Sequence, residues 1–319
     1  MNTNLSGLEV LVTGGAGFVG SNIVALLLEK GAIVTVLDNL YTGRIELLPI
    51  SKNLTFIEGD VEDSDLIFKL MSEFDYVIHA AAKNIIASTK NPIEDFKTNI
   101  GGTLNILMGA KKYGVKKIVY TSSASVYGNP SILPISESSG IYTLTPYATS
   151  KLAGENYCIS FYESYNLPTA IVRYSNVYGT NQDPKNPYCG VVSKFFESAI
   201  KNEPIRIHGD GEQTRDFTFV DDTARATIDA LINSKSTGGI FNTGSGGETS
   251  INELAKRIIE ISNSKSKLSY IDKRDIDNIR RRSVNIELIR RTLRWSPSFT
   301  IDKGLKETYR WILEKMDEK

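Results

Sequence analysis

The chain contains few of the side chains that bind metals or form disulfides. Its 319 residues include two histidines, His79 and His208, and two cysteines, Cys158 and Cys189. Two cysteines do not make a disulfide framework, and two histidines far apart in sequence do not make a metal site. We therefore expect no bound metal, and we expect both cysteines to pack as small apolar residues.

The sequence also lacks a long apolar run and an excess of either charge. No run approaches the roughly 18 apolar residues of a membrane span, and the N-terminal residues show no basic stretch followed by an apolar core. The 37 basic residues balance the 37 acidic ones, so no general field attracts nucleic acid or an anionic membrane. The sequence predicts a soluble, cytoplasmic protein without nucleic-acid or membrane partners, built as one large or two smaller domains.

A glycine-rich turn follows the first predicted strand. Residues 8–13 form a short apolar run typical of a buried strand, and apolar residues at helical spacing follow the turn at residues 14–20. Strand, glycine turn and helix together are the context of a dinucleotide-binding fingerprint. Gly14 permits the tight turn, Gly17 lets the backbone approach a pyrophosphate at the helix N-terminus, and Gly20 allows close helix–strand packing.

A carboxylate ends the second predicted strand. Residues 32–37 are mostly apolar and β-branched, and Asp38 follows them, close to the offset of about 20 residues expected for a ribose-binding acid. Aspartate would bond both ribose hydroxyls of NAD and repel the 2′-phosphate of NADP. Arg44 lies near enough in sequence to leave NADP a minor alternative, and the sequence favours NAD.

Strands and helices continue to alternate, with predicted strands at residues 54–57, 76–78, 117–120 and 169–173. This rhythm predicts an α/β fold, a Rossmann-type doubly wound parallel sheet. In such a sheet the ligands bind at the carboxyl ends of the strands.

Polar and small residues at these strand ends are candidates for cofactor contacts. We expect Asp60 to contact adenine rather than only cap a helix. His79 is interpreted as a packed strand-end residue and not as a catalyst. Three small residues are expected to lie where the cofactor passes: Ala80, Ala81 and Ala82.

Tyr147 and Lys151 stand four residues apart on a predicted helix that Pro146 opens, so both side chains can point into one pocket. A free tyrosine has a pKa of about 10, too high for a base at neutral pH. A lysine ammonium within reach and the cationic nicotinamide ring would lower that pKa by roughly 1–3 units. Ser123, in the turn after strand 117–120, could bond the same substrate oxygen. The pattern predicts Tyr147 as a general base, although Tyr-x-x-x-Lys alone is also common on ordinary helices.

Taken together, these motifs resemble the extended short-chain dehydrogenase/reductase superfamily. Within it the sequence looks most similar to the nucleotide-sugar epimerase/dehydratase branch, and there to the UDP-glucose and other UDP-sugar 4-epimerases. The resemblance covers nearly the whole chain. The motifs that carry it are residues 13–20, Asp38-Asn39, Gly59-Asp60, Asn99-x-x-Gly102-Thr103-x-Asn105, Ser122-Ser123-x-x-Val126-Tyr127-Gly128 and Tyr147-x-x-x-Lys151.

The resemblance implies a role for each matching residue. Tyr147 would be the catalytic base, Lys151 would set its pKa and bind the nicotinamide ribose, and Ser123 would be the hydroxyl partner. The implied cofactor-binding residues are Gly14, Gly17, Phe18, Val19, Asp38, Asn39, Gly43, Asp60, Val61, Ala80, Ala81, Ala82, Asn99, Thr121, Tyr147, Lys151 and Tyr174. The implied substrate-binding residues are Lys83, Ser123, Tyr147, Asn176, Val191, Ile207, Arg215, Arg280 and Arg282.

The regular alternation ends near residue 174. We predict an NAD-binding Rossmann domain at residues 1–174 and a smaller α/β nucleotide-sugar-binding lobe at residues 175–319, interleaved with it. The lobe is predicted to contain a strand at 205–208 and helices at 189–200, 223–232, 251–261 and 301–313.

In the family the second lobe holds the nucleoside diphosphate of the substrate. Asn176 matches the asparagine beside the diphosphate, and Arg215 and Arg280 match its two arginines. Arginine suits this role because its planar guanidinium can bind phosphate oxygens in pairs. The resemblance also implies a homodimer, formed through the helices around residues 95–110 and 147–162.

The turn after strand 117–120 separates the reactions within the family. Its dehydratases and uronate decarboxylases read Ser-Thr-Asp-Glu or Ser-Thr-Ser-Glu there, and their extra acid or base completes the chemistry. This chain has Ala124 and Ser125, which are poor substitutes. The sequence therefore predicts an NAD-dependent 4-epimerase of UDP-glucose and UDP-galactose, or of their N-acetyl forms, acting through a transient 4-keto intermediate.

Three alternatives stay open at this point. Arg282 could pair with a carboxylate at sugar C6, which would make the substrate a UDP-uronate, or its long stem could carry the guanidinium to solvent. A nucleotide-sugar 4,6-dehydratase comes next. A non-catalytic NAD-sensing regulator fits least well, because such proteins typically lose the tyrosine or the lysine.

Overall fold

The computed structural model describes residues 4–186, 190–273 and 278–317; Cys189 lies outside them. These residues contain thirteen strands, numbered in chain order. They are β1 (Glu9–Thr13), β2 (Ile33–Asp38), β3 (Leu54–Glu58), β4 (Tyr76–His79), β5 (Lys117–Ser123), β6 (Thr169–Tyr174), β7 (Asn176–Tyr178), β8 (Ile205–His208), β9 (Thr214–Arg215), β10 (Phe217–Phe219), β11 (Ile240–Thr243), β12 (Thr249–Ser250) and β13 (Leu268–Ile271).

Eleven α-helices lie in the same residues, together with a π-helical segment at Phe96–Gly102. The helices are α1 (Phe18–Glu29), α2 (Ser64–Met71), α3 (Ile85–Lys90), α4 (Pro92–Asp95), α5 (Thr103–Tyr113), α6 (Pro146–Tyr165), α7 (Val191–Ile200), α8 (Val220–Ile232), α9 (Ile251–Ser262), α10 (Glu287–Leu293) and α11 (Ile301–Asp317). In the described residues, none of these helices combines the length and apolarity needed to cross a membrane.

Seven strands form one sheet in the order β11-β6-β5-β4-β1-β2-β3, and every neighbouring pair runs parallel. The order reverses between β1 and β4, so the chain leaves these two strands in opposite directions. A reversal of this kind opens a crevice at the carboxyl ends of the strands. The predicted Rossmann-type doubly wound sheet is confirmed.

Apolar layers cover both faces of the central sheet. Helices α1 and α8 pack together on one face, and α2, α5 and α6 pack on the other. All six residues of β6 are buried, as expected for a strand covered on both sides. Each fully buried Val, Leu or Ile contributes about 1.5–3 kcal/mol to folding, so this core fixes the sheet edge that carries the polar residues.

Local sequence sets where α6 begins and ends. The Thr145 hydroxyl accepts a hydrogen bond from the N–H of Ala148, and Pro146 occupies the first turn, as the sequence predicted. The helix ends at Asn166, which adopts the left-handed conformation with φ +55°. These signals give a helix of 20 residues, long enough to run beneath the end of β5 and beyond it.

The second half of the chain builds part of the central sheet as well as a separate group of elements. Strand β11 pairs with β6, and α8 packs on α1. The remaining elements α7, α9 and α11 pack around a third apolar cluster with the parallel pairs β7–β10 and β8–β13. The halves therefore interleave, and the division at residues 174 and 175 stays a proposal.

The predicted elements of this half agree with the structure in position. Helix α8 begins three residues earlier than predicted, and α11 continues to Asp317. The helix predicted from residue 189 begins at Val191. Cys158 is fully buried, as predicted.

Candidate active site

The glycine turn lies against the end of β4 at the reversal point of the sheet. Gly14 has φ +69°, and a Cβ atom there would approach the Ala81 backbone nitrogen to 2.6 Å. A Cβ atom at Gly20 would collide with the Gly14 carbonyl oxygen. Only glycine allows this close approach of turn, helix and strand, so both positions do what the fingerprint requires of them.

Asp38 lies at the edge of the same crevice, with its carboxylate already oriented. Its oxygens accept hydrogen bonds from the N–H groups of Ala16, at 3.0 Å, and Leu40, at 2.8 Å. Burial raises the pKa of Asp38, and these backbone donors act against that rise. A Cβ atom at Gly43 would come within 2.8 Å of Asp38 Oδ1, so the glycine keeps this acid unobstructed.

One elongated cleft runs from Asp38 across the glycine turn to Tyr147. Asp60 lines it as well, and its carboxylate accepts from Asn39 Nδ2 at 2.6 Å. Asp63, not Asp60, caps α2. The predicted ligand residues that line the cleft are Gly14, Gly17, Phe18, Val19, Asp38, Asn39, Asp60, Val61, Ala80, Ala81, Ala82, Lys83 and Tyr147.

A loop from the second half of the chain completes the cleft, and sequence reasoning did not find it. Asn181 donates to Ser21 Oγ at 3.0 Å, and the Thr180 carbonyl accepts from Asn22 at 3.1 Å, which ties the loop to the start of α1. Asp183 forms an ion pair with Arg44 at 2.5 Å. Gln182 and Asn186 also line the cleft. The only sequence signal was the polar composition of residues 180–187.

These residues fit NAD. The backbone of the glycine turn is open to a pyrophosphate at the N-terminus of α1, and small residues follow β4 where the cofactor would pass. Asp38 presents a carboxylate suited to ribose hydroxyls, and Arg44, the residue that left NADP open, is paired with Asp183.

Tyr147 and Lys151 lie one turn apart on α6, beneath the end of β5. Tyr147 is half-buried and reaches the cleft, whereas Lys151 is 3% exposed. Lys151 Nζ donates to the Thr121 carbonyl at 2.7 Å and lies 4.9 Å from the centroid of the Tyr120 ring. Ser123, two residues beyond Thr121, accepts from the N–H of Ser125 at 3.2 Å, which leaves its own hydroxyl proton available.

The pKa values of this pair differ from the simple expectation. Burial raises the pKa of Tyr147 to about 12, the Ser123 hydroxyl lowers it, and the charge of Asp95 raises it. Burial lowers the pKa of Lys151 to about 8, while Asp95 and then Glu155 raise it. The sequence analysis predicted that the lysine and the nicotinamide ring would lower the pKa of Tyr147. In the protein without cofactor that pKa is raised instead.

Asn99 is fully bonded within the protein. Its Oδ1 accepts from the Lys83 N–H at 2.7 Å, and its Nδ2 donates to Asp95, Ser150 and the Lys83 carbonyl. It lies in the π-helical segment, a local distortion often found at functional sites. Asn99 therefore holds the backbone of Lys83 at the cleft, and its direct contact with a cofactor stays a prediction.

His79 is buried between two threonine hydroxyls, with Nδ1 2.7 Å from Thr13 Oγ1 and Nε2 2.9 Å from Thr103 Oγ1. Burial lowers its pKa to about 3, and the charge of Lys151 acts in the same direction. A neutral histidine with both nitrogens bonded does not exchange protons with a substrate, so it agrees with the packed residue that the sequence predicted.

Two other predicted cofactor residues lie behind the cleft. Thr121 is 4% exposed and donates from Oγ1 to the His79 carbonyl at 3.2 Å. Tyr174 is buried and its hydroxyl lies 2.7 Å from Thr227 Oγ1. Their contacts with NAD stay predictions.

The predicted substrate residues of the second half differ in exposure. Arg215 is buried and donates to the carbonyls of Thr214 and Ile279, both at 2.8 Å. Arg280 is exposed and paired through Nη1 with Asp210 at 2.8 Å. Arg282 is 6% exposed, which excludes the alternative in which it reaches solvent.

Three more of these residues have a backbone or packing role in the structure. The N–H of Asn176 donates to the Asp216 carbonyl at 3.0 Å, and Val191 begins α7. Ile207 is fully buried in the third apolar cluster. Their contacts with substrate stay predictions.

Comparisons with known proteins agree with this site. The model of the NAD dependent epimerase/dehydratase family matches residues 10–244. A Methanocaldococcus jannaschii protein provisionally named UDP-glucose 4-epimerase is 41% identical over 306 residues, 95% of this chain and 98% of the relative. The UDP-N-acetyl-α-D-glucosaminuronate decarboxylase of Bacillus cytotoxicus is 35% identical over 317 residues, 95% and 97% of the two chains. The crystal structure of Thermotoga maritima UDP-glucose 4-epimerase with UDP-glucose has a TM-score of 0.93 at 35% identity, covering 97% of this chain and 100% of that chain.

The doubly wound sheet and its cleft define an NAD-binding protein of the extended short-chain dehydrogenase/reductase type. More narrowly, the chain belongs to the NAD dependent epimerase/dehydratase family, and NAD is its cofactor. The relatives differ in substrate and reaction, an epimerase beside a uronate decarboxylase, so membership leaves both to be argued from the site.

The position of Asp38 generates a prediction about cofactor choice. NAD should bind at least about tenfold more tightly than NADP, and Asp38→Asn should narrow the gap, because a charge-assisted bond to ribose is worth roughly 1.5–3 kcal/mol. Glu58→Gln, an exposed acid beside Asp38 on β3, is the matched control. Binding titrations of both cofactors measure the effect, and equal affinity in the wild type would show that Asp38 does not face the ribose.

Proposed function

We propose that this protein is an NAD-dependent 4-epimerase of UDP-sugars, acting on UDP-glucose and UDP-galactose or on their N-acetyl forms. The observation that carries the proposal is the placement of Tyr147 at the end of the cofactor cleft, with Lys151 one turn further along α6 and Ser123 at the end of β5. The family and the cofactor support it, and the substrate and the reaction are the proposed part.

The side chains around Tyr147 account for oxidation at a sugar hydroxyl. Tyr147 takes the proton of the C4 hydroxyl, and the Ser123 hydroxyl, whose hydrogen bond lowers the pKa of Tyr147, bonds the same substrate oxygen. Lys151 keeps a positive charge beneath the site, between Thr121 and the ring of Tyr120. When bound, NAD supplies a reversible acceptor for the hydrogen at C4. Its positive ring would also offset the burial that raises the pKa of Tyr147.

The turn after β5 favours epimerisation over dehydration or decarboxylation. Ala124 is buried and has no proton to give, and Ser125 is 8% exposed with its hydroxyl unbonded among the described residues. A carboxylate in this turn would serve as the extra acid or base of the other reactions. Without it, the 4-keto intermediate can only turn over and be reduced again at C4, which inverts that carbon.

A nucleoside diphosphate suits the second half of the site. Arg215 lies at the sheet edge formed by β9 and β12, and Arg280 lies nearby, because the Arg280 carbonyl accepts from the Thr214 N–H at 2.9 Å. Two arginines on neighbouring backbone segments could supply the paired positive charges that a diphosphate needs. We propose Arg215, Arg280 and Asn176 as its ligands.

The first test removes the proposed base. Tyr147→Phe should fold and bind NAD but lose epimerisation of UDP-glucose by about 10²–10⁴-fold, because it cannot accept the hydroxyl proton. Tyr165→Phe, at the exposed end of the same helix, is the control and should keep full activity.

Products of this assay are resolved by chromatography for UDP-glucose, UDP-N-acetylglucosamine and UDP-glucuronate. Near-wild-type turnover by Tyr147→Phe would remove Tyr147 from the mechanism. A 4-keto-6-deoxy product or carbon dioxide would show that the protein is a dehydratase or a decarboxylase instead.

A UDP-uronate 4-epimerase is the second candidate, and the burial of Arg282 favours it. Arg282 is 6% exposed and lies two residues before Val284, which pairs with Ile135 behind the catalytic turn. Its guanidinium could bind a carboxylate at sugar C6. Such a charge-assisted pair is worth roughly 1.5–3 kcal/mol, about a tenfold to hundredfold preference. The B. cytotoxicus relative is named for a uronate substrate.

The test of this second candidate compares UDP-glucuronate with UDP-glucose. If Arg282 binds the carboxylate, the wild type prefers the uronate by about tenfold or more and Arg282→Ser loses that preference. Arg281→Ser is the control, because Arg281 is exposed and paired with Glu248. A wild type that ignores the uronate eliminates this candidate and leaves the hexose pocket.

We also propose a homodimer formed through α4, the π-helical segment, α5 and α6. This surface exposes large apolar side chains, with Ile93 66%, Phe96 57% and Met108 45% exposed. Tyr157 of α6 is 37% exposed on the adjoining helix. Apolar side chains grouped in this way mark an interaction surface, and a second copy would bury them by packing helix pair on helix pair.

The dimer is tested by sedimentation equilibrium. The wild type should have twice the mass of one chain, and Phe96→Glu should shift it toward the monomer, because the charge would be buried in the interface. Ile50→Glu, at an isolated and fully exposed position, should have no effect. A monomeric wild type would refute the proposal.

A further inference from the structure

A buried ion pair lies directly behind the catalytic residues, and the proposed mechanism does not use it. Glu155 and Arg173 are 1% and 3% exposed. Arg173 Nε donates to Glu155 Oε1 at 2.9 Å, and Arg173 Nη2 donates to Oε2 at 2.6 Å. Glu155 follows Tyr147 and Lys151 at a spacing of four residues, so all three share one face of α6.

We propose that Glu155, held by Arg173, is a positioning residue that fixes the Ser123 end of β5 against Tyr147 and Lys151. The proposal rests on the function proposed above. It concerns side chains that touch neither substrate nor cofactor, and that act through the catalytic residues beside them.

The end of β5 is joined to α6 by three side-chain hydrogen bonds. Ser122 Oγ donates to Glu155 Oε1 at 2.5 Å, Lys151 Nζ donates to the Thr121 carbonyl at 2.7 Å, and the Tyr120 hydroxyl donates to the Lys151 carbonyl at 3.4 Å. Ser122 directly precedes Ser123. Its bond to Glu155 is therefore the side-chain bond to α6 that lies nearest in sequence to the catalytic hydroxyl.

The same ion pair also holds the far end of the catalytic turn. Arg173 Nη1 donates to the Tyr127 hydroxyl at 2.7 Å, and that hydroxyl donates to Asn242 Oδ1 at 2.7 Å. Tyr127 closes the 3₁₀ turn that begins at Ala124. One guanidinium–carboxylate pair thus fixes the backbone on both sides of Ser123, Ala124 and Ser125.

Stability alone does not account for such a pair. Desolvation of two charges costs about as much as their attraction returns, and apolar replacement of a buried pair is often neutral or stabilising. A role in geometry is different, because a displacement of about 1 Å at a reacting group can cost about a hundredfold in rate. The hydrogen bonds around Ser123 restrain its position, which is what a role in positioning requires.

Glu155 also acts on the charge of Lys151. The charged and titratable groups around Lys151 are Asp95 of α4, Glu155 and Cys158 of its own helix, His79 of β4 and Tyr120 of β5. Burial lowers the pKa of Lys151 to about 8, and Asp95 and Glu155 raise it. Removal of Glu155 therefore lowers the pKa of Lys151 further, and the lysine loses its proton at a lower pH.

The experiment replaces both partners at once, as Glu155→Leu/Arg173→Met, so that no unpaired charge is buried. This variant should melt close to the wild type and keep its KM for UDP-glucose within about threefold, while kcat falls about tenfold to a hundredfold. The alkaline limb of its pH–rate profile should move to lower pH. Ser122→Ala removes the tether but keeps the carboxylate, so kcat should fall with the alkaline limb unmoved.

Glu307→Leu/Arg310→Met makes the same substitutions at an exposed pair on α11 and should leave kcat and the pH profile unchanged. An activity-free readout follows the titration of Lys151 by NMR of lysine labelled at Cε, assigned with Lys151→Met. Lys151 should titrate at lower pH only in Glu155→Leu/Arg173→Met.

The proposal is overturned if Lys151 titrates alike in every variant and kcat is unchanged, or if the variants lose only thermal stability. If the wild type is inactive on all UDP-sugars, the proposed function is contradicted instead. The NMR titration then still tests the effect of Glu155 on the pKa of Lys151.

Discussion

The close approach of the glycine turn to the end of β4 is the constraint on which the rest of the site depends. The Gly14 N–H donates to the Leu37 carbonyl at 2.8 Å, and the Ala80 N–H donates to the Thr13 carbonyl at 3.1 Å. These bonds bring the ends of β1, β2 and β4 to one edge, where the strand order reverses. The cleft, the position of the Asp38 carboxylate and the start of α1 all follow from that arrangement. A side chain at Gly14 would separate the strands and close the crevice.

The second requirement is electrostatic. Lys151 and Tyr147 lie in a site from which water is largely excluded. Burial there opposes the charged form of both side chains. Two buried carboxylates, Asp95 and Glu155, lie near Lys151. Each of them accepts hydrogen bonds from neighbouring side chains. Asp95 accepts from Ser88, Asn99 and Ser150, and Glu155 accepts from Ser122 and Arg173. Asp95 and Glu155 therefore both favour the charged form of Lys151. In the proposed function, Tyr147 would also need the cofactor's positive ring to act as a base near neutral pH.

Local signals explain what the sequence alone could predict. Some features depend only on residues close together in sequence, so they can be identified without coordinates. They are the glycine spacing, the carboxylate at position 38 and the Thr145–Pro146 start of α6. The strand pattern gave the sheet for the same reason, because buried parallel strands are continuous apolar runs.

The parts that escaped prediction depend on contacts between distant segments. The loop at residues 180–186 meets α1 across 158 positions, as in the bond between Asn22 and Thr180. The bond of Lys151 to a backbone carbonyl, the burial of Arg282 and the full burial of Ile207 are equally tertiary. The resemblance named Asn99 only as a cofactor residue, and its hydrogen bond from the Lys83 N–H was not predicted.

The central claim is that the hydrogen at sugar C4 leaves and returns within the closed site while Tyr147 handles only the hydroxyl proton. Turnover of UDP-glucose deuterated at C4, followed by mass spectrometry and proton NMR of the products, tests it most directly. The account predicts UDP-galactose that retains deuterium at C4 in ordinary water. Loss of the label to solvent, or inversion at a different carbon, would contradict it.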